Sequence, residues 1–360
     1  MNKQTAHLLE QHFDTAFFAP NGIKKLRELI LALAMQGKLV AQDPKDSPAS
    51  ELLKEIEAEK KRLVKEGKIK TLKPLLPVTS AEKPYVLPRG WEWVRMGSLV
   101  TIQTGKKDVN EGHKDGLYPF FSCAAAPLKS NNYSFDCDAL LLPGNGANVG
   151  QVTRYKGKFE AYQRTYILSD FSCDIAEYLE KALNARFLKS IEGKQYGSAI
   201  NYIKIGNLTD FLVPLSPHPE QHRIVAKIDE LMARCDALEN LRNEREEKRL
   251  STHAAALSQL LDTTGNGSAD DTWAFITQHF SELYTVKENV AELRKAILQL
   301  AVMGKLVPQN PNDPSASELL KEIDAEKKRL VKEGKIRGTR GRGDAKELTP
   351  DEMPNPLPKG

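Results

Sequence analysis

The chain has 360 residues, 40% of them hydrophobic, enough to build real cores in two or three domains, and no apolar run approaches the ~18 residues of a membrane span. The start, MNKQTAHLLEQHF, has no apolar secretory core, and the four cysteines (Cys123, Cys137, Cys173, Cys235) form no CxxC pair, so a reducing, cytoplasmic setting is expected. Fifty-two basic against 48 acidic residues leave a net charge of +4, too small to establish a nucleic-acid partner, so the placement of the charges must decide.

Residues 22–37 read as an amphipathic helix, because Ile23, Leu26, Ile30 and Leu33 recur three and four apart and Gly37 supplies a stop. A Pro-containing turn leads into a charged helix over 50–66, with Leu52, Ile56 and Leu63 on one face and Lys/Glu pairs on a solvated face. From Pro88 to Pro217 the texture changes. Short runs at 99–102, 139–142, 151–155 and 165–168 are separated by Gly, Asn, Asp and Pro clusters, as strands joined by turns would be, and helical signal returns only around 175–191.

After Pro217 comes the longest predicted helix, about 219–262. Ile224, Ile228, Leu231, Cys235 and Leu238 step 4-3-4-3, and at 1.5 Å per residue the rod would be roughly 65 Å long. A rod of that length needs a partner. Val286, Val290, Leu293, Ile297 and Leu300, in a helix read over 274–303, show the same spacing, and the loop Thr263–Ser268 lets the chain double back into an antiparallel pair.

The sequence also repeats itself. Residues 50–69 recur as 317–336 with the single difference Glu57/Asp324, and 33 of 45 positions from Leu26 to Lys70 match Leu293 to Arg337 without a gap. An offset of 267 is too long for a stacked solenoid and means that a whole module begins again. Leu87-Pro88-Arg89-Gly90 leads into Trp91, whereas its counterpart Leu357-Pro358-Lys359-Gly360 closes the sequence, so one and a fraction units are expected. The Gly/Arg-rich stretch 335–343 reads as a linker equivalent to 68–86.

Gly197-Ser198-Ala199-Ile200-Asn201-Tyr202-Ile203-Lys204, followed by Val213-Pro214-Leu215-Ser216-Pro217 and Glu220-Gln221-His222-Arg223-Ile224, resembles the end of a target recognition domain of type I restriction-modification specificity (S) subunits. Leu87–Trp93 resembles its start, and Pro119–Cys123, Gly144–Gly146 and Lys158–Tyr166 resemble its middle. The resemblance implies an α+β fold, with one strand-rich globular recognition domain plus long antiparallel coiled-coil helices. It divides the chain into a helical region and linker (1–86), the recognition domain (87–217), a long helical hairpin (218–303) and the truncated start of a second unit (304–360). It further implies a non-catalytic DNA-reading subunit that carries methyltransferase (M) subunits and, through them, restriction (R) subunits. S-adenosylmethionine and ATP would belong to those partners. Because only one recognition domain is present, two chains are expected to pair through their helices as a homodimer.

Within that frame, Lys106, Lys107, Lys194, Tyr196 and Lys204 are candidates for phosphate contact, though loop lysines are usually just solvated. Asn145 and Asn148, in a Gly/Asn turn, are candidates for adenine edges; the turn superficially resembles a dinucleotide loop, but a strand rather than a helix follows it. Arg154, Tyr155, Lys156, Gln163, Arg164 and Tyr166 interleave cations, amides and aromatics as a base-reading surface requires, the alternative being a strand pair whose tyrosines only pack. Ile224, Ile228, Leu231, Cys235, Leu238, Val290, Leu293, Ile297 and Leu300 are expected at a subunit interface. No Asn/Asp-Pro-Pro-Tyr/Phe methyltransferase loop is present, and His113, Cys123 and Cys137 match no usual zinc spacing. The competing reading is a coiled-coil assembly protein, or a decayed fragment, that no longer binds DNA.

Overall fold

The computed structural model describes residues 7–8, 10–13, 19, 21–69, 74–171, 174–192, 202–262, 269–307, 310 and 312–336. It is an α+β chain in two spatial units, Met1–Glu239 and Asn240–Gly360, and the division falls inside the longest helix.

In the first unit, α1 (Gly22–Met35) and α2 (Ala49–Lys65) match the periodicity of their apolar residues, and Ile23, Ile30, Leu52 and Ile56 are buried. Gly37, at φ +66°, ends α1 in the left-handed conformation that lets Lys38 N–H reach back to Leu33 O at 2.9 Å. Its duplicate Gly304 does the same at φ +67°, with Lys305 N–H on Leu300 O at 2.9 Å, so repeated sequence gives a repeated cap.

The strand-rich body begins with β1 (Glu92–Arg95), one turn of helix α3 (Met96–Leu99) and β2 (Thr101–Thr104). It continues through β3 (Tyr118–Phe121), β4 (Leu128–Ser130), β5 (Phe135–Pro143), β6 (Thr153–Ala161) and β7 (Thr165–Ser169). After these come α4 (Ala176–Ser190), α5 (Ile205–Thr209) and β8 (Leu212–Leu215). Six strands form one sheet in the order β2-β7-β5-β6-β3-β4, antiparallel except where β3 runs parallel to β6. Sequence periodicity found β2, β5, β6 and β7 with shifted ends; β3 and β4 escaped it because they are short and β3 contains Pro119.

Among the described residues β1 and β8 pair only with each other, Trp93 opposite Pro214, so the two boundaries of the domain are tied together. Trp91 Nε1–H donates to Glu220 Oε2 at 2.9 Å, and Gln221 Nε2–H donates to Ser216 O at 2.9 Å. These bonds fasten the domain to the first turn of α6 (His218–Leu261).

The 4-3-4-3 seam of α6 is divided between two cores. Ile224, Ile228 and Cys235 are buried, and Leu231 and Leu238 half-buried, in the first unit's core with α1, α2 and α4. Arg27 of α1 reinforces this side through Asp236 at 2.6 Å and Glu239 at 2.7 Å.

In the second unit the remaining turns of α6 meet α7 (Ala269–Gln278), α8 (Phe280–Leu283) and α9 (Lys287–Val302). The helix read over 274–303 is therefore three pieces. The antiparallel return is made by α7 and α8, since Tyr284 stacks edge-on against His253 at 5.2 Å. α9 then turns again and follows α6 towards its end, where Lys305 Nζ approaches Asp262 O at 3.5 Å. Leu293 and Leu300 are buried, and Val290 and Ile297 half-buried, against Ala256 and Leu260. The nine seam residues expected at a subunit interface are thus occupied within the chain, because each half of the seam finds an apolar neighbour in its own unit. The duplicate α10 (Ala316–Lys332) buries nothing.

Candidate nucleic-acid interface

The tip of the β6–β7 connection is a tight turn in which Thr165 N–H donates to Tyr162 O at 2.8 Å, leaving Gln163 and Arg164 exposed at its apex. Two glycines allow neighbouring loops to approach it. A Cβ on Gly105 would lie 2.2 Å from Ala161 O, and one on Gly144 would lie 2.5 Å from Arg164 O; neither distance is tolerable. On the Gly105 side, Lys106 and Lys107 N–H donate to Ala161 O at 3.1 and 3.3 Å, and Gln163 N–H donates to Lys107 O at 2.9 Å. On the Gly144 side, Gly144 N–H donates to Arg164 O at 2.8 Å, and Ile203 N–H donates to Gly144 O at 2.9 Å. The end of β3 joins them, with Tyr162 N–H on Phe121 O at 2.9 Å.

These backbone bonds converge four dispersed segments on one edge of the sheet: 105–107, 144–145, 162–165 and 202–204. Lys107, Asn145, Gln163, Arg164 and Lys204 of the expected set are thereby brought together. Arg164 makes no ion pair among the described residues. Lys107 pairs with Glu111 at 2.7 Å on the surface, which raises its pKa. Lys106 is exposed with its ammonium 5.4 Å from the centre of the Phe135 ring. Asn145 bridges to Tyr202, a partner that lay in the quoted motif but was not singled out. Cys123 also belongs here, its thiol 3.7 Å from Arg164 O. No local pattern exposed that proximity, which depends on β3 lying beside β6.

Other expected contacts have structural work instead. Arg154 grips Asp138 with two N–H donors, at 3.1 and 2.7 Å, and Glu177 with a third at 2.8 Å, so its pKa is raised first by the Asp138 bond. A guanidinium held by two carboxylates has no free fork for a base edge. Tyr155 packs its ring on Phe121 and Phe159 at 5.2 and 5.8 Å. Tyr166 is 9% exposed and donates its hydroxyl to Ile203 O at 2.9 Å, burial raising its pKa. Asn148 Nδ2–H donates to Cys123 O at 2.9 Å and braces the loop from inside. Lys156 is exposed on β6, in register with Asp138 and away from the turn. Lys194 and Tyr196 lie outside the described residues.

Residues 88–247 match the family described as Type I restriction modification DNA specificity domain. The type I restriction enzyme EcoAI specificity subunit of Escherichia coli is 37% identical over 94% of this chain and 61% of its own length. The Escherichia coli EcoEI specificity subunit is 37% identical over 94% of this chain and 60% of its own length. The chain thus spans about three fifths of these relatives. The solved S subunit of the type I restriction-modification system of M. genitalium superposes with TM-score 0.35 at 19% identity, over 52% of this chain and 48% of that one. Residues 88–247 thus match the type I restriction modification DNA specificity domain, and along nearly its whole length the chain is similar to specificity subunits of type I restriction enzymes.

Proposed function

We propose that this chain reads DNA sequence for a type I restriction-modification complex and does no bond chemistry itself. The observation that carries the reading is the apex of the 162–165 turn: an exposed amide and, side by side with it, a guanidinium that makes no ion pair among the described residues, on a backbone fixed by three flanking loops. Arg164 has the donors for guanine O6 and N7, and Gln163 the donor and acceptor for adenine. Lys106 and Lys204 supply positive charge around them for phosphate, and Lys107 would join them by exchanging Glu111 for a phosphate oxygen. S-adenosylmethionine and ATP would act on the methyltransferase and restriction partners.

Two chains would place two identical reading domains on a palindromic, split target, since half-site spacing mirrors dimer geometry. Five of the nine seam residues, Ile224, Ile228, Cys235, Leu293 and Leu300, are buried in the chain's own cores. The surface left for partners includes exposed apolar positions of the second unit, Leu241, Leu250, Leu298 and Val302. Sequencing the methylated bases of a host that co-expresses the chain with its methyltransferase partner tests the reading. A split, symmetric motif supports it, and a split but asymmetric one would remove the homodimer while leaving recognition. A complex that binds motif-bearing and random DNA equally would favour a bare assembly protein.

A further inference from the structure

Lys60 sits on the same stripe of α2 as the buried Leu52 and Ile56, four residues on, where periodicity calls for an apolar side chain. Its ammonium donates to three backbone carbonyls, Gly97 O at 3.1 Å, Ser98 O at 2.9 Å and Val100 O at 3.2 Å. Those oxygens are the carbonyl end of α3, which a helix of one turn leaves without partners. No carboxylate forms an ion pair with Lys60 among the described residues; Asp170 acts only at longer range, and burial pulls the ammonium pKa down to about 8. A leucine would fill the space. Three donors matched to three fixed acceptors do more, because they specify both the rotation and the axial position of α2 on the domain.

The carbonyl cluster lies at the root of β2. That strand starts directly after Val100, and its far end carries Gly105, Lys106 and Lys107 against the Gln163–Arg164 turn. We propose that Lys60 is a positioning residue for DNA reading, setting the register of α2 on the recognition domain through the α3–β2 corner; this rests on the DNA-reading role proposed above. The duplication supplies an internal control. Lys327 occupies the same place in a stretch identical at 19 of 20 positions, yet α10 buries no residue, with Leu319 57% and Ile323 40% accessible.

The test uses the full chain bound to its methyltransferase partner, with fluorescence anisotropy on a duplex carrying the methylation motif and on a random duplex, and thermal melts alongside. Lys60→Met is expected to lose at least tenfold in affinity for the motif while keeping random binding within twofold, Lys60→Arg to recover part of the loss, and Lys327→Met to match wild type. Lys60→Gln, which keeps a short donor, is read in the same way should Lys60→Met fail to fold. Motif affinity within twofold of wild type in a folded Lys60 variant would overturn the proposal. So would equal losses on both duplexes, which mark a merely structural role, or equal losses from Lys60→Met and Lys327→Met. A wild-type complex that does not distinguish the duplexes would instead refute the DNA-reading role itself.

Discussion

Arg154 of β6 holds Asp138 of β5 in a two-pronged ion pair, 3.1 Å from Nε and 2.7 Å from Nη2, whereas Arg164, ten residues along the chain, makes no ion pair among the described residues. Composition treats the two alike, but their surroundings separate them. Arg154→Ala is expected to destabilise the domain by about 1–3 kcal/mol, leaving Asp138 half-buried without its partner. Arg164→Ala should leave the melting temperature unchanged and cost about 1–3 kcal/mol of affinity for the motif-bearing duplex, with random binding intact. Thermal melts and anisotropy on both variants check the pair of outcomes, and the reverse assignment would remove Arg164 from the reading edge.

The close approaches at Gly105 and Gly144 give a second expectation. Gly144→Ala places a Cβ 2.5 Å from Arg164 O and must push the turn outwards. Strain of this kind costs about 1–3 kcal/mol, so the variant should melt earlier and also bind the motif more weakly. Gly146, where an added Cβ meets nothing within 4 Å but the backbone sits at φ +83°, should show a stability cost with the turn left in place.

The divided seam predicts where charge is tolerated. Ile228→Asp puts an unpaired carboxylate at a fully buried site and should unfold the first unit, at several kcal/mol. Leu298→Asp alters a residue 67% exposed and should melt like wild type. If the exposed apolar positions serve assembly, that variant will still lose binding to the methyltransferase partner in size-exclusion chromatography. Retention of full binding would move the partner surface elsewhere.

Glu82 accepts Thr79 N–H and the Thr79 hydroxyl at 2.9 Å each and Arg95 Nη2–H at 2.6 Å, and these bonds, the Thr79 backbone one first, hold its pKa at about 2. A carboxylate with a depressed folded-state pKa contributes stability that is complete above its unfolded value, near 4.5, and fades as the pH falls towards 2. Glu82→Gln should therefore melt below wild type at pH 7. The gap should narrow between pH 4.5 and 2, and a gap independent of pH would show that the charge is not what matters.

The sequence by itself determined α1, α2, α4 and α6, which lie within two residues of their expected bounds because apolar periodicity is a local property; the helix expected over 274–303 is three pieces. It also determined the duplication and the family resemblance, which rest on residue identity alone, and it singled out Gln163 and Arg164 by their chemistry. Only the tertiary structure decided which cations are free. Arg154 is neutralised by Asp138 and Glu177, sixteen and twenty-three residues away, and no window of sequence shows that pairing. The fate of the seams was decided in the same way. A 4-3-4-3 spacing demands burial but does not name the partner, and packing supplied one from within each unit. Lys60 and Lys327 make the point most directly: the same flanking residues in sequence, one half-buried ammonium held by three carbonyls and the other exposed, because a cation's partners are set by what folds around it.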